Sequence, residues 1–185
     1  MTAVRRILGV DPGLRVTGYG VIDASGGRCR LVEGGVLEPR AHLPLEQRLT
    51  ELHDAMVEVV RATRPDCMVV EELWTSYKNP TTAVLMGHAR GVIALAAGAN
   101  GVTMEHLAHS LVKRALAGSG AARKSQVSGM VVQLLGLVQA PQPADVSDAL
   151  ALAIAYANID AQRERFARAG IIIGGVRPRR ARPAH

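Results

Sequence analysis

The segment Cys67-Met68-Val69-Val70-Glu71 carries no charged side chain before its last position, and it follows a helical pattern that Pro65 and Asp66 end. A short strand without polar alternation is covered on both faces, as in a parallel sheet between helical layers. The flanking chain agrees. Residues 5–11, 15–23 and 28–38 read as three consecutive strands, with DPG and SGG supplying turns. Leu31, Val32, Val36 and Leu37 mark the third, and Gly34-Gly35 suggest a bulge there. Leu45, Leu49, Leu52, Met56, Val59 and Val60 recur at helical spacing across 44–64. Beyond Glu71, residues 72–79 read as an exposed loop with an aromatic tip, and Pro80 suits the first turn of a helix to about Gly98. VTMEH is a further strand, 109–117 and 123–136 are helices around a GSGAA loop, and QAPQPA links to a last helix over 145–168. The expectation is an α/β fold with a mixed central sheet and helices on both faces, in one domain over 1–168.

Aromatic residues are 3% of the chain, so the core must be aliphatic. No apolar run is expected to reach the length that crosses a bilayer, and MTAVRRILGV lacks the pattern of a signal peptide. Cys29 and Cys67 have no CxxC spacing and suit a reducing compartment. A cytoplasmic protein without membrane contact is expected. The net charge of +6 has a local origin. No acidic residue follows Glu164, while Arg165, Arg168, Arg177, Arg179, Arg180 and Arg182 do. Residues 169–185 therefore read as a basic tail, equally compatible with non-specific phosphate binding and with simple solvation. Between Glu105 and Asp145 the only charged side chains apart from histidine are Lys113, Arg114, Arg123 and Lys124. Lysines are few, at 78, 113 and 124, and an ammonium suits a single phosphate oxygen or a water.

Four carboxylates stand where strand ends and a first helical turn can converge. Asp11 closes ILGVD, Glu71 closes CMVVE, and Asp145 and Asp148 open PADVSDALALA. Gathered together they would repel one another unless cations lay between them, and hard oxygen donors suit Mg²⁺ or Mn²⁺. Each also has a plainer reading. Asp11-Pro12-Gly13 fits a turn. Glu71 and Glu72 alternate across the strand, so only one can face a site. With Asp145 as N-cap, Asp148 would fall at N3 and the pair would imitate a capping box.

In order and spacing, ILGVDPGLRVTGYGVI, the acidic residue after VV at 71, KSQV at 124–127 and PADVSDALALAIA resemble the RuvC family of bacterial Holliday-junction resolvases over residues 6–160. The resemblance implies a ribonuclease-H-like fold and a homodimer that cuts four-way DNA junctions by symmetrical nicks. It puts the acidic quartet on Asp11, Glu71, Asp145 and Asp148, and the catalytic lysines on Lys113 and Lys124. Trp74 takes the place of a loop aromatic that engages DNA at the crossover. The family also implies the branch-migration complex RuvA–RuvB as partner.

On that reading two cations per site activate water and stabilise the leaving 3′-oxygen. Asp11 bridges them, Glu71 and Asp148 complete separate spheres, and Asp145 stands alongside. Lys124 orients water or neutralises phosphate charge. Lys113 fits a phosphate contact. Trp74 and Tyr77 offer stacking platforms, and Lys78, Arg114 and Arg123 add DNA contacts. His88 lies in MGHARGVIALAAGA, a stretch apolar on nearly every face that suits burial or a two-fold seam. Three rivals differ in class. An actin- or hexokinase-type phosphotransferase needs a second hairpin domain, and a binding module without activity would lack a carboxylate. An RNA-processing nuclease of the same fold is disfavoured by the acidic pair and KSQV.

Overall fold

The computed structural model describes residues 3–72 and 80–169. Its elements follow as β1 (Arg5–Asp11), β2 (Thr17–Ser25), β3 (Arg28–Leu37), α1 (Leu45–Thr63), β4 (Cys67–Glu71), α2 (Pro80–Ala99), β5 (Thr103–Leu107), α3 (His109–Ala117), α4 (Lys124–Leu135) and α5 (Ala144–Arg168). The sheet order is β3-β2-β1-β4-β5. β1, β2 and β3 form an antiparallel meander, and β4 and β5 add to it in parallel. The expected mixed sheet is therefore present.

Period-2 alternation divides the sheet between two cores. Leu8, Val10, Val21, Met68 and Val70 face α1 and α2, while Ile7, Ile22, Cys67 and Val69 face α3, α4 and α5. The continuous apolar run of β4 is explained by this double covering. Each fully buried Leu or Ile contributes about 1.5–3 kcal/mol on transfer from water. Apart from half-buried Asp148, α5 is buried at every position from Val146 to Tyr156, because it lies directly on β1 and β2.

Three readings are corrected. The irregularity in β3 lies at Val32 and not at Gly34-Gly35, because Val21 pairs with Glu33 while Ile22 pairs with Leu31. The two glycines answer close packing instead. A Cβ on Gly34 would come to 3.0 Å from Val146 Cγ1, and one on Gly35 to 3.0 Å from the Tyr19 ring. α2, at 20 residues, is long and apolar enough to cross a membrane by length and composition, contrary to the expectation that no run reaches that length. Its composition follows from its position. Ala89, Ile93, Ala96 and Ala97 pack into the core shared with α1, while Val84 and Leu95 are exposed on the other side. His88 is exposed there too, so the burial reading of that histidine fails.

Candidate active site

β1 and β4 run parallel and their ladder ends at Val10–Val70, so Asp11 and Glu71 follow side by side at the strand ends, Asp11 still paired with Gly18 of β2 and Glu71 with Leu107 of β5. Alternation puts both on the face that carries Ile7, Cys67 and Val69, under α5. This resolves the choice at 71–72. Glu71 lines a cavity of about 110 Å³, whereas Glu72 is exposed and its N–H donates to Leu107 O at 2.8 Å. Asp148, on the second turn of α5, lines the same cavity with Lys113 of α3, Lys124 at the start of α4, His109 at the start of α3, and apolar walls from Val112, Val127, Ala151 and Leu152. Asp145 does not line it, but its charge reaches Asp11.

The electrostatics are those of crowded carboxylates. The Asp11 carboxyl is pushed up to about 7, first by burial and then by Asp148, Glu71 and Asp145, with Lys124 opposing. Lys124 Nζ lies 2.6 Å from Asp148 Oδ2, and this bond holds the ammonium pKa above its usual value. His109 Nδ1 lies 2.6 Å from Glu71 Oε1. Among the described residues, no three His, Cys, Asp or Glu side chains stand as a ready-made metal centre. Asp148 and Glu71 hold Lys124 and His109 instead.

The supporting loop is tightly bonded. Buried Thr17 accepts from Gly13 N–H at 3.1 Å and donates to Gly13 C=O at 2.6 Å, closing the turn after Asp11. From α1, Arg48 donates to Leu14 C=O at 3.0 Å. From α2, Arg90 donates to Glu71 C=O and lies 3.2 Å from His106 Nδ1.

The capping alternative for the acidic pair is overturned. α5 begins at Ala144 behind the N-cap Pro143, which makes no side-chain cap bond. Asp145 is therefore the second helical residue and Asp148 the fifth, too far in to cap. Arg123 and Arg114 are exposed outside the cavity, and Arg123 N–H donates to Gln126 Oε1 at 2.8 Å at the start of α4. Trp74, Tyr77 and Lys78 lie outside the described residues. Sequence reading missed Thr17, Arg48, Arg90 and His109. His109 had one faint signal, its position just past a strand parallel to the one that ends in Glu71.

Residues 7–156 match the family model described as crossover junction endodeoxyribonuclease RuvC. The chain belongs to the RuvC family. Crossover junction endodeoxyribonuclease RuvC of Rhodopirellula baltica is 47% identical over 148 residues, covering 80% of this chain and 83% of that one. Among solved structures, Thermus thermophilus RuvC matches with a TM-score of 0.77 at 34% identity, covering 89% of this chain and 96% of that one. The Thermus thermophilus RuvC in complex with Holliday junction substrate matches with a TM-score of 0.76 at 32% identity and the same coverage. Both the family resemblance and the ribonuclease-H-like fold it implied are borne out. Membership in the RuvC family carries that family's activity class, endonucleolytic hydrolysis of DNA at crossover junctions.

Proposed function

We propose that this chain resolves four-way DNA junctions by paired symmetrical nicks, leaving 5′-phosphate and 3′-hydroxyl ends. The observation that carries this reading is the convergence of Asp11, Glu71 and Asp148 on one cavity with Lys113 and Lys124. A carboxyl raised to about 7, first by burial and then by three neighbouring carboxylates, is a group that a divalent cation would stabilise. The donors are all hard oxygens, which fits Mg²⁺ or Mn²⁺. Asp11, whose carboxyl feels the other three, would be the shared ligand, Glu71 and Asp148 would each complete one cation site, and Asp145 would stand alongside. Two such cations supply an activated water and charge neutralisation at the phosphate.

The chain's own residues do the remaining work. Lys124, held cationic by Asp148, neutralises charge that develops on the phosphate or orients the attacking water. Lys113 contacts a phosphate oxygen from the α3 wall. Arg114 and Arg123 extend the basic rim along the DNA, with binding that weakens as salt rises. Trp74 and Tyr77 stack on unpaired bases at the crossover, beside Lys78. Partnership with RuvA–RuvB and a cytoplasmic location rest on family membership.

The deciding experiment compares cleavage of a synthetic four-way junction with that of linear duplex, in Mg²⁺, Mn²⁺ or chelator, for wild type and Asp148→Asn. Paired nicks in the junction alone, lost in chelator and in the variant, are expected. Tight junction binding without cutting under any metal would make the protein a binding module.

Paired nicks need two sites related by symmetry, and α2 offers the face for it. Val84, His88, Gly91 and Leu95 lie on one exposed side, and a Cβ on Gly87, Gly91 or Gly98 would meet nothing. The missing side chains flatten this face for a second copy. Leu95→Asp is expected to yield a monomer in analytical ultracentrifugation and to replace paired nicks by rare single ones. A variant that stays dimeric with paired nicking would put the seam elsewhere.

A further inference from the structure

We propose that Arg90 and His109 are positioning residues that grip Glu71 at its two ends and fix its carboxylate in the site. The inference rests on the reading of Glu71 as a cation ligand, and it assigns two residues that reading does not use. Glu71 is the last residue of β4, where sheet pairing to β1 has already stopped. On its other side its backbone stays paired to Leu107 of β5, and two bonds tie it further. Glu72 N–H continues the ladder to Leu107 C=O, and the Glu71 C=O accepts from the Arg90 guanidinium of α2.

At the other end, His109 Nδ1 lies 2.6 Å from Glu71 Oε1. An ionised carboxylate only accepts, so a contact this short calls for the imidazole hydrogen on Nδ1. A partner this close to one oxygen constrains the carboxylate's rotation and leaves Oε2 for another partner. This is the arrangement by which second partners orient metal-binding side chains, and losing one costs about 10–100-fold in metal affinity or activity.

Neither residue is accounted for by packing. The His109 side chain is 61% exposed, so the core does not require an imidazole there. Arg90 is the one Asp, Glu, Lys or Arg residue in α2, a helix otherwise built of apolar, small and neutral polar side chains. A guanidinium on such a helix needs a polar target, and its targets here include the Glu71 carbonyl and His106 Nδ1.

The test uses His109→Ala, His109→Asn, Arg90→Ala and Arg90→Lys, with three readouts: junction affinity in chelator, single-turnover cleavage, and Mn²⁺ binding to the free protein by calorimetry. His109→Ala is expected to cut about 10–100-fold more slowly and to bind Mn²⁺ more weakly, with junction affinity unchanged. His109→Asn, whose amide can donate from nearly the same point, should recover most of both losses. Arg90→Lys should recover part of what Arg90→Ala loses, because an ammonium can serve the carbonyl but not both partners. Should Arg90→Ala fail to fold, Arg90→Lys and the exposed His109 variants decide. His109→Ala indistinguishable from wild type in rate and Mn²⁺ binding would overturn the proposal, as would His109→Asn as impaired as His109→Ala. A wild type that neither cuts junctions nor binds Mn²⁺ would instead defeat the underlying reading of the site.

Discussion

Asp11→Asn is expected to lose junction cleavage by on the order of 1,000-fold or more while making the metal-free protein more stable at neutral pH. The two effects share one cause. Asp11 is held among Asp148, Glu71 and Asp145 in a largely buried position, and its carboxyl is raised from 3.8 to about 7. Below pH 4 the group is protonated in both folded and unfolded chains, so it contributes no pH dependence. Between about pH 4 and 7 the folded chain holds a proton that the unfolded chain has released. Stability therefore falls as pH rises through that window, and above about 7 the full cost of the ionised, buried group is present. A shift of this size corresponds to about 4 kcal/mol at most, or roughly 10 °C in Tm for a chain of this length. Asparagine carries no charge to bury, so the variant should lack this decline. Added Mg²⁺ should raise the wild-type Tm most at high pH, and the Tm of Asp11→Asn hardly at all. Calorimetry from pH 4 to 8, with chelator and with Mg²⁺, checks each part. Equal pH profiles for the two proteins would sink the argument that burial and neighbouring carboxylates together disfavour the ionised Asp11.

Much of this site was legible in the chain because strands have a period of two. Asp11 and Glu71 each end an apolar run, and alternation alone puts Asp11 on the face of Ile7 and Glu71 on the face of Cys67 and Val69. What alternation could not give is how two strands register, which decides that these ends lie side by side. The capping alternative at the start of α5 fails for a physical reason. An aspartate before an apolar helical run is the usual cap, but here the chain enters the helix through Pro143, and Asp145 falls inside the first turn. Gly34-Gly35 were read as a bulge because glycine in a strand signals either a bulge or a close approach, and sequence does not separate the two. His109 and Arg90 were invisible for a deeper reason. Their contacts with Glu71 join residues 38 and 19 positions apart, and no periodicity encodes a contact across that distance.

The second large effect is expected from a glycine. On the face of the sheet under α5, β1 and β2 carry Gly9, Gly18 and Gly20, with Gly9 paired to Gly20. A Cβ on Gly9 would lie 2.0 Å from Ala149 O, and one on Gly18 would lie 2.2 Å from Asp145 O. In both cases the obstacle is helix backbone, which cannot swing aside as a side chain can. α5 therefore sits lower on the sheet than any other residue at 9 or 18 would allow, and that height brings Asp148 and Asp145 to Asp11. Gly9→Ala must lift α5 by about 1 Å or more, and should destabilise the protein by about 3 kcal/mol, the upper end for an overpacked core. Gly18→Ala acts at the first turn of α5, so less of the core is disturbed, but it displaces Asp145 directly. Its cleavage rate should fall about 100-fold, the cost of an ångström of misplacement, with a smaller drop in Tm. Gly129→Ala is the control. It lies on the exposed face of α4, where a Cβ meets nothing, so it should stabilise by about 0.5–1 kcal/mol and cut normally. Melting and single-turnover cleavage of the three variants separate these outcomes. If Gly9→Ala melted and cut like wild type, close approach of α5 to the sheet could not be what assembles the acidic site.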